Sequence, residues 1–254
     1  MDRRRGLRIR FAVVVLATAG LLAGGASAVG ASHSWGGYHW ARAANPFTLK
    51  VGDNVTAAWD SYLDTTVIDW SASTVLDLTE VAGTSNPKRC QGSSGTVQVC
   101  NNSYGNNGWL GVAQIWISGG HITQGTVKLN DTYFNTVKYN TAAWRNLVSC
   151  QEVGHTLGLA HQDEIFNNAN LDTCMDYTNA PESNQHPNTH DFEQLASIYN
   201  NHLDTISTVS KTNASSPAPA SWGRLVAGST RSGQTATYVT AIGSELVVTH
   251  VIWA

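Results

Sequence analysis

Trp59, Tyr62, Leu63, Val67 and Trp70 recur at three- and four-residue steps, the spacing of one helix face. The pattern predicts a helix over about 55–72, with Asp53 or Asn54 as its cap. The β-branched run Thr65-Thr66-Val67-Ile68 works against that helix. Ahead of it, Pro46 to Val51 reads as a strand ended by Gly52-Asp53-Asn54, and behind it Val75 to Val81 reads as another. Turn formers fill residues 83–108, broken by a short strand from Thr96 to Cys100. Leu110 to Ile117 and Gly125 to Asn130 follow as strands, with Gly119-Gly120 as a turn between them. Ile115-Trp116-Ile117 is apolar without alternation, which suits a strand buried on both faces.

A second helix is expected from Tyr139 to Leu159. Thr141 can cap it, Ala143, Trp144, Leu147, Val148, Val153, Leu157 and Leu159 supply its apolar face, and Gly158 falls where it should stop. A long loop then carries Cys174-Met175-Asp176-Tyr177. Asn188-Thr189 caps a third helix, Asp191 to His202. Residues 207–221 form a Ser/Thr/Ala/Pro tract that reads as a linker. The last stretch, 222–254, holds three β-like runs and is too short for a sizeable core of its own. It is expected to pack on the main domain as a hairpin appendage.

Composition narrows the classes. The net charge is −3 and only 13% of residues are charged, so no basic face suggests nucleic acid. The N-terminus has Arg3, Arg4, Arg5, Arg8 and Arg10, then a short apolar run from Phe11 to Leu22, then Ala26-Ser27-Ala28. That is a cleavable export signal over 1–28, too short for a span. A membrane anchor is the competing reading, and the arginines fit a twin-arginine signal only weakly. No long region before residue 40 reads as a propeptide. In an oxidising compartment the four cysteines allow three connectivities, of which the local pairs Cys90–Cys100 and Cys150–Cys174 are favoured.

The candidate chemistry lies in Gln151-Glu152-Val153-Gly154-His155-Thr156-Leu157-Gly158-Leu159-Ala160-His161. Residues 151 and 155 share a helix face, with Glu152 beside them. A glycine at 158 lets the chain turn sharply, so that His161 can swing back. Two nitrogen ligands and a neighbouring carboxylate are what a metal-assisted hydrolase needs.

The stretch resembles the metzincin clan of zinc metallopeptidases, matrixin-like and of the bacterial secreted type, whose pattern is H-E-x-x-H-x-x-G-x-x-H with a later methionine turn. Glu152, His155, Gly158, His161 and Met175 match the pattern, and Gln151 stands where the clan has its first histidine. The resemblance covers roughly residues 40–204. It implies an α+β catalytic domain over 29–206: a twisted mixed sheet, an active-site helix, a methionine turn and a C-terminal helix. It implies zinc held by His155, His161 and Gln151, and Glu152 as the base that activates the metal-bound water. Tyr177 would steady the oxyanion, Gly158 and Met175 would be structural, and a substrate would lie extended along an edge strand near 110–117. Three readings of Gln151 stay open: a weaker amide ligand, a sphere completed by water or another residue, or a dead site.

The expected protein is a secreted, extracellular zinc metalloendopeptidase. It would be a monomer acting on extended polypeptides, with no membrane contact after leader cleavage. The alternative is a catalytically inactive secreted scaffold of the same fold. His121 is read as a surface residue that could supply a missing ligand, His186 and His190 as weaker candidates, and Asp163 and Glu164 as a polar loop without calcium-binding spacing. Pro87-Lys88-Arg89-Cys90 is read as half of a disulfide.

Overall fold

The apolar runs become strands of one mixed sheet. In chain order these are β1 (His39–Trp40), β2 (Phe47–Asn54), β3 (Leu76–Ala82), β4 (Thr96–Asn102), β5 (Trp109–Ser118), β6 (His121–Asn130), β7 (Arg224–Gly228), β8 (Thr235–Ile242) and β9 (Glu245–Trp253). The helices are α1 (Asp60–Ser71), α2 (Asp131–Phe134), α3 (Ala142–Thr156) and α4 (Thr189–Asn200). The computed structural model describes residues 33–200, 202–205, 215–229 and 234–254, all within one compact unit, Ala31–Ala254. The leader at 1–28 and much of the expected linker lie outside the described residues. No helix among the described residues is long and apolar enough to cross a membrane.

The sheet order is β3-β2-β4-β6-β5-β9-β8-β7, with β1 pairing β6 off that path. Strands β2, β3, β4 and β6 run parallel, while β5 and the three last strands are antiparallel to their neighbours. Every residue of β5 except Ser118 is buried, as its unbroken apolar sequence requires. Helices α1 and α3 pack together on the sheet. Trp70 donates from Nε1 to the Cys150 carbonyl (3.1 Å), and Thr66 and Ser149 share a hydroxyl hydrogen bond of 2.8 Å. The buried Arg145 guanidinium sits 4.6 Å over the Trp59 ring and donates to the Phe134 carbonyl. A cation in a core needs both that ring face and that acceptor.

The structure corrects several boundaries. Asp53 and Asn54 do not cap α1; they belong to β2, which runs on through Gly52. Their side chains are used elsewhere: Asp53 accepts from the Val55 amide, and Asn54 donates to Gln98 of β4. The helix starts only at Asp60, after Trp59, with no side-chain cap. Helix α3 is shorter than the apolar pattern suggested, with Thr141 capping it by accepting from the Trp144 amide (3.2 Å). Helix α4 starts at Thr189 rather than Asp191, and the Asn188 side chain accepts from the His190 and Asp191 amides. The short α2 and the two-residue β1 had no periodic signal to reveal them.

The largest correction concerns residues 222–254. Their hairpin of β8 and β9 does pack on the main domain, but through its sheet rather than on its surface. Strands β7–β9 extend the main sheet, and β9 pairs with β5 from Trp109↔Trp253 to Ile117↔Leu246. Strand β5 is therefore not an edge, and the strand expected to receive a substrate has no free side.

Both favoured disulfides are present, Cys90–Cys100 and Cys150–Cys174, and the second ties α3 to the loop that holds Met175. Gly158 ends the α3 turn at φ +100°, and a Cβ there would run into the Tyr38 carbonyl oxygen. Gly158→Ala is therefore expected to lower stability by about 2 kcal/mol or more, measured by urea unfolding against the parent chain.

Candidate metal centre

Helix α3 lies across the sheet, and its last three turns are buried throughout. Two consequences follow for the motif residues. Gly154 has no side chain because Met175 Sδ and the Trp70 ring occupy the space a Cβ would need, at 2.6 and 2.7 Å. Gly111 of β5 leaves room in the same way for the Glu152 side chain, since a Cβ there would press on its carboxylate and on Val148. Met175 is thus a fully buried packing residue under the helix.

His155 and His161 meet with their Nε2 atoms 3.1 Å apart and their ring planes at 89°. Nδ1 of His155 lies 2.9 Å from the Leu159 carbonyl oxygen. A carbonyl only accepts, so Nδ1 carries the proton and Nε2 presents a lone pair. Burial, then the neighbouring His161, holds the His155 pKa well below the usual histidine range. Four-coordinate zinc with bonds of 2.0–2.1 Å needs nitrogens about 3.3 Å apart. The pair fits that requirement.

Glu152 has no solvent exposure, and neither carboxylate oxygen has a partner at full hydrogen-bond geometry. Burial raises its pKa well above the usual carboxylate range, and the Ala113 amide offsets only part of this. A dry carboxyl on the same helix as His155 is costly unless a cation or a proton accompanies it. The residues therefore suit a divalent metal.

Gln151 is also buried, and its Nε2 donates to the Asp176 carbonyl at 3.4 Å. That bond anchors the amide nitrogen, and the amide oxygen remains an acceptor. The Tyr177 ring centroid is 5.9 Å from that of His161 and 5.1 Å from that of Phe166. Burial, then Tyr139 and Glu152, pushes its phenol pKa upward. The hydroxyl stays a donor.

One participant escaped the sequence reading. His250 of β9 stacks on His155 with centroids 4.3 Å apart and planes at 17°. Trp35 packs against it with centroids 3.9 Å apart and planes at 52°. Parallel rings cannot direct in-plane lone pairs at one ion, so His250 covers the centre rather than completing it. Its Nε2 is buried without a partner, and Nδ1 lies 3.3 Å from Thr237 Oγ1. The only hint was a histidine inside the apolar run Leu246–Trp253. With β9 and Trp35 in place the centre is closed, and the cavity beside Tyr177, lined also by Leu110 and Ile252, holds about 20 Å³, room for about one water.

The remaining candidates lie elsewhere. His186 pairs with Asp69 at 2.7 Å in an exposed position. The Asp163 carboxylate accepts from the Ile165 amide and the Asn168 side chain, and Glu164 lies 3.5 Å from His161 Nδ1. His121 is neither on the open surface nor at this centre; it lies beside Asp204 at 3.0 Å. His190 stacks on His33 at 4.9 Å and 18°, next to the buried Asp191. Stacking again prevents those two rings from sharing one ion.

No family model matches this chain, and no curated protein matches it. Among solved structures, that of myroilysin is similar over 68% of this chain and 98% of its own, at 13% identity and a TM-score of 0.36. A likeness at that level carries no argument about fold or chemistry.

Asp191 offers a test of this buried region. Burial raises its pKa to about 6, against hydrogen bonds from Thr173 and the Asn188 amide that pull it down. A carboxyl that holds its proton more tightly when folded contributes stability that is full below about pH 4 and lost as the pH rises through about 6. The wild-type chain is expected to lose roughly 3 kcal/mol from this residue between pH 4 and 7. Asp191→Asn should flatten that fall, seen as urea midpoints that drift less across the same range.

Proposed function

We propose that the chain is a secreted zinc-dependent metalloendopeptidase of the metzincin type, matrixin-like, held closed by its own last strand. The observation that carries this reading is the pair of imidazole Nε2 atoms 3.1 Å apart, with a fully buried carboxyl on the same helix. His155 and His161 would hold the zinc, with the Gln151 amide oxygen as a weaker third ligand. Bound zinc supplies Lewis acidity, lowering the pKa of a water and polarising a peptide carbonyl. The Leu159 carbonyl fixes the His155 tautomer and so keeps Nε2 available. Glu152 takes the proton from the attacking water and returns it to the leaving amine; its dry setting gives it the proton affinity this requires. The Tyr177 hydroxyl is the donor for the developing oxyanion.

Strand β9 occupies the side of β5 along which an extended peptide would pair. In the peptidase reading, β9 must leave before a substrate enters. The export signal read from residues 1–28 and the two disulfides agree with an extracellular setting.

A second reading rests on the same closure. A metal centre covered by β9 and Trp35 suits a scaffold whose metal stabilises the fold without turnover. Three measurements separate the readings. Zinc content and cleavage of a quenched peptide are measured on the parent chain with and without chelator. Glu152→Gln should keep the zinc and reduce cleavage by about 10²–10⁴-fold. Thr249→Pro removes a ladder amide from β9 and should raise peptide cleavage. Zinc without any cleavage in both the parent and Thr249→Pro would leave the scaffold. Gln151→His should tighten zinc binding in titration if residue 151 faces the metal.

A further inference from the structure

A second group of imidazoles closes the seam between the N-terminal segment, the β5–β6 turn and the stretch after α4. His39 and His121 are register partners in the parallel pair of β1 and β6. His121 Nε2 lies 3.0 Å from Asp204 Oδ1, and His202 Nε2 lies 3.6 Å from the same oxygen. Nε2 of His39 lies 3.0 Å from Nε2 of His202 and 3.7 Å from Asp204 Oδ2. The ring of His39 crosses that of His121 at 87° and that of His202 at 81°.

We propose that His39, His121, His202 and Asp204 form a structural zinc site, separate from the centre on α3. The spacings of 3.0–3.6 Å among His39, His202, His121 and Asp204 Oδ1 bracket the edge of a zinc tetrahedron, about 3.3 Å. The crossed rings are the arrangement already seen for His155 and His161, and they let in-plane lone pairs point at a common centre. The stacked His33–His190 pair lacks this property, although it too lies beside an aspartate.

The tautomer of His39 suits ligation. His39 Nδ1 lies 2.8 Å from the Gly37 carbonyl oxygen, so it carries the proton, and Nε2 offers a lone pair to the cluster. Asp204 Oδ2 is engaged by Arg42, through Nη1 at 3.0 Å and the backbone amide at 3.1 Å. That leaves Oδ1 to face the histidines. Arg42 also donates to the Tyr199 and His202 carbonyls, so the carboxylate is aimed by a group itself anchored at the end of α4. His39 is buried, while His202 is half exposed and closes the site from the solvent side. The ion would join three segments that are about 80 residues apart in sequence. Binding that requires the folded arrangement stabilises the fold.

The test compares zinc per chain in the parent, His121→Ala and His202→Ala, by elemental analysis after dialysis against trace free zinc. His121→Ala should hold one equivalent fewer than the parent, whatever the α3 centre holds, and His202→Ala should release that equivalent more readily to a competing chelator. Cobalt substitution adds an optical readout: the parent should show visible bands of tetrahedral cobalt that weaken in both variants. Chelator should lower the Tm of the parent more than that of His121→Ala. Circular dichroism shows which variants are folded, and His202→Ala touches the solvent side only. Unchanged zinc content and unchanged cobalt bands in the folded variants would overturn the site.

Discussion

The pairing of β5 along both of its edges is the constraint on which the rest of the structure depends. With β6 on one side and β9 on the other, β5 becomes the interior of the sheet. Helix α3 can then bury its motif face against it without leaving open backbone groups. The same pairing removes water from Glu152 and His155 and so gives both groups their displaced proton affinities. The site chemistry is thus a property of the sheet as well as of the helix.

The helix bearing the motif was the most legible part of the chain. Thr141 announces its start and Gly158 its end. Cys150 and Cys174 pair as their positions around the site suggested. What could not be read were contacts between segments far apart in sequence. Asp53 looks like a helix cap until Val55 claims its carboxylate within β2. Residues 246–253 look like a strand, but nothing local says that their partner is β5. His121 looks exposed because the residues that cover it, His39 and Asp204, lie some 80 positions away on either side.

Ring orientation sorts the histidines into two kinds. Crossed pairs, His155–His161 and His39 with His121 and His202, set their rings near right angles. Parallel pairs, His155–His250 and His33–His190, pack as flat apolar surfaces and exclude an ion between them. His155 takes part in one pair of each kind, its edge toward His161 and its face toward His250. The face contact is what seals the edge contact from solvent.

Trp35 and His39 stand four residues apart on one short segment, the first against His250 and the second in the Asp204 cluster. Four residues reach at most about 14 Å when extended. The segment therefore acts as a tether of fixed length between the two histidine groups. The backbone bond from Trp35 to the Gly158 carbonyl shortens its slack further. A backbone movement at Trp35 that uncovers His250 draws on the same few peptide units that hold His39.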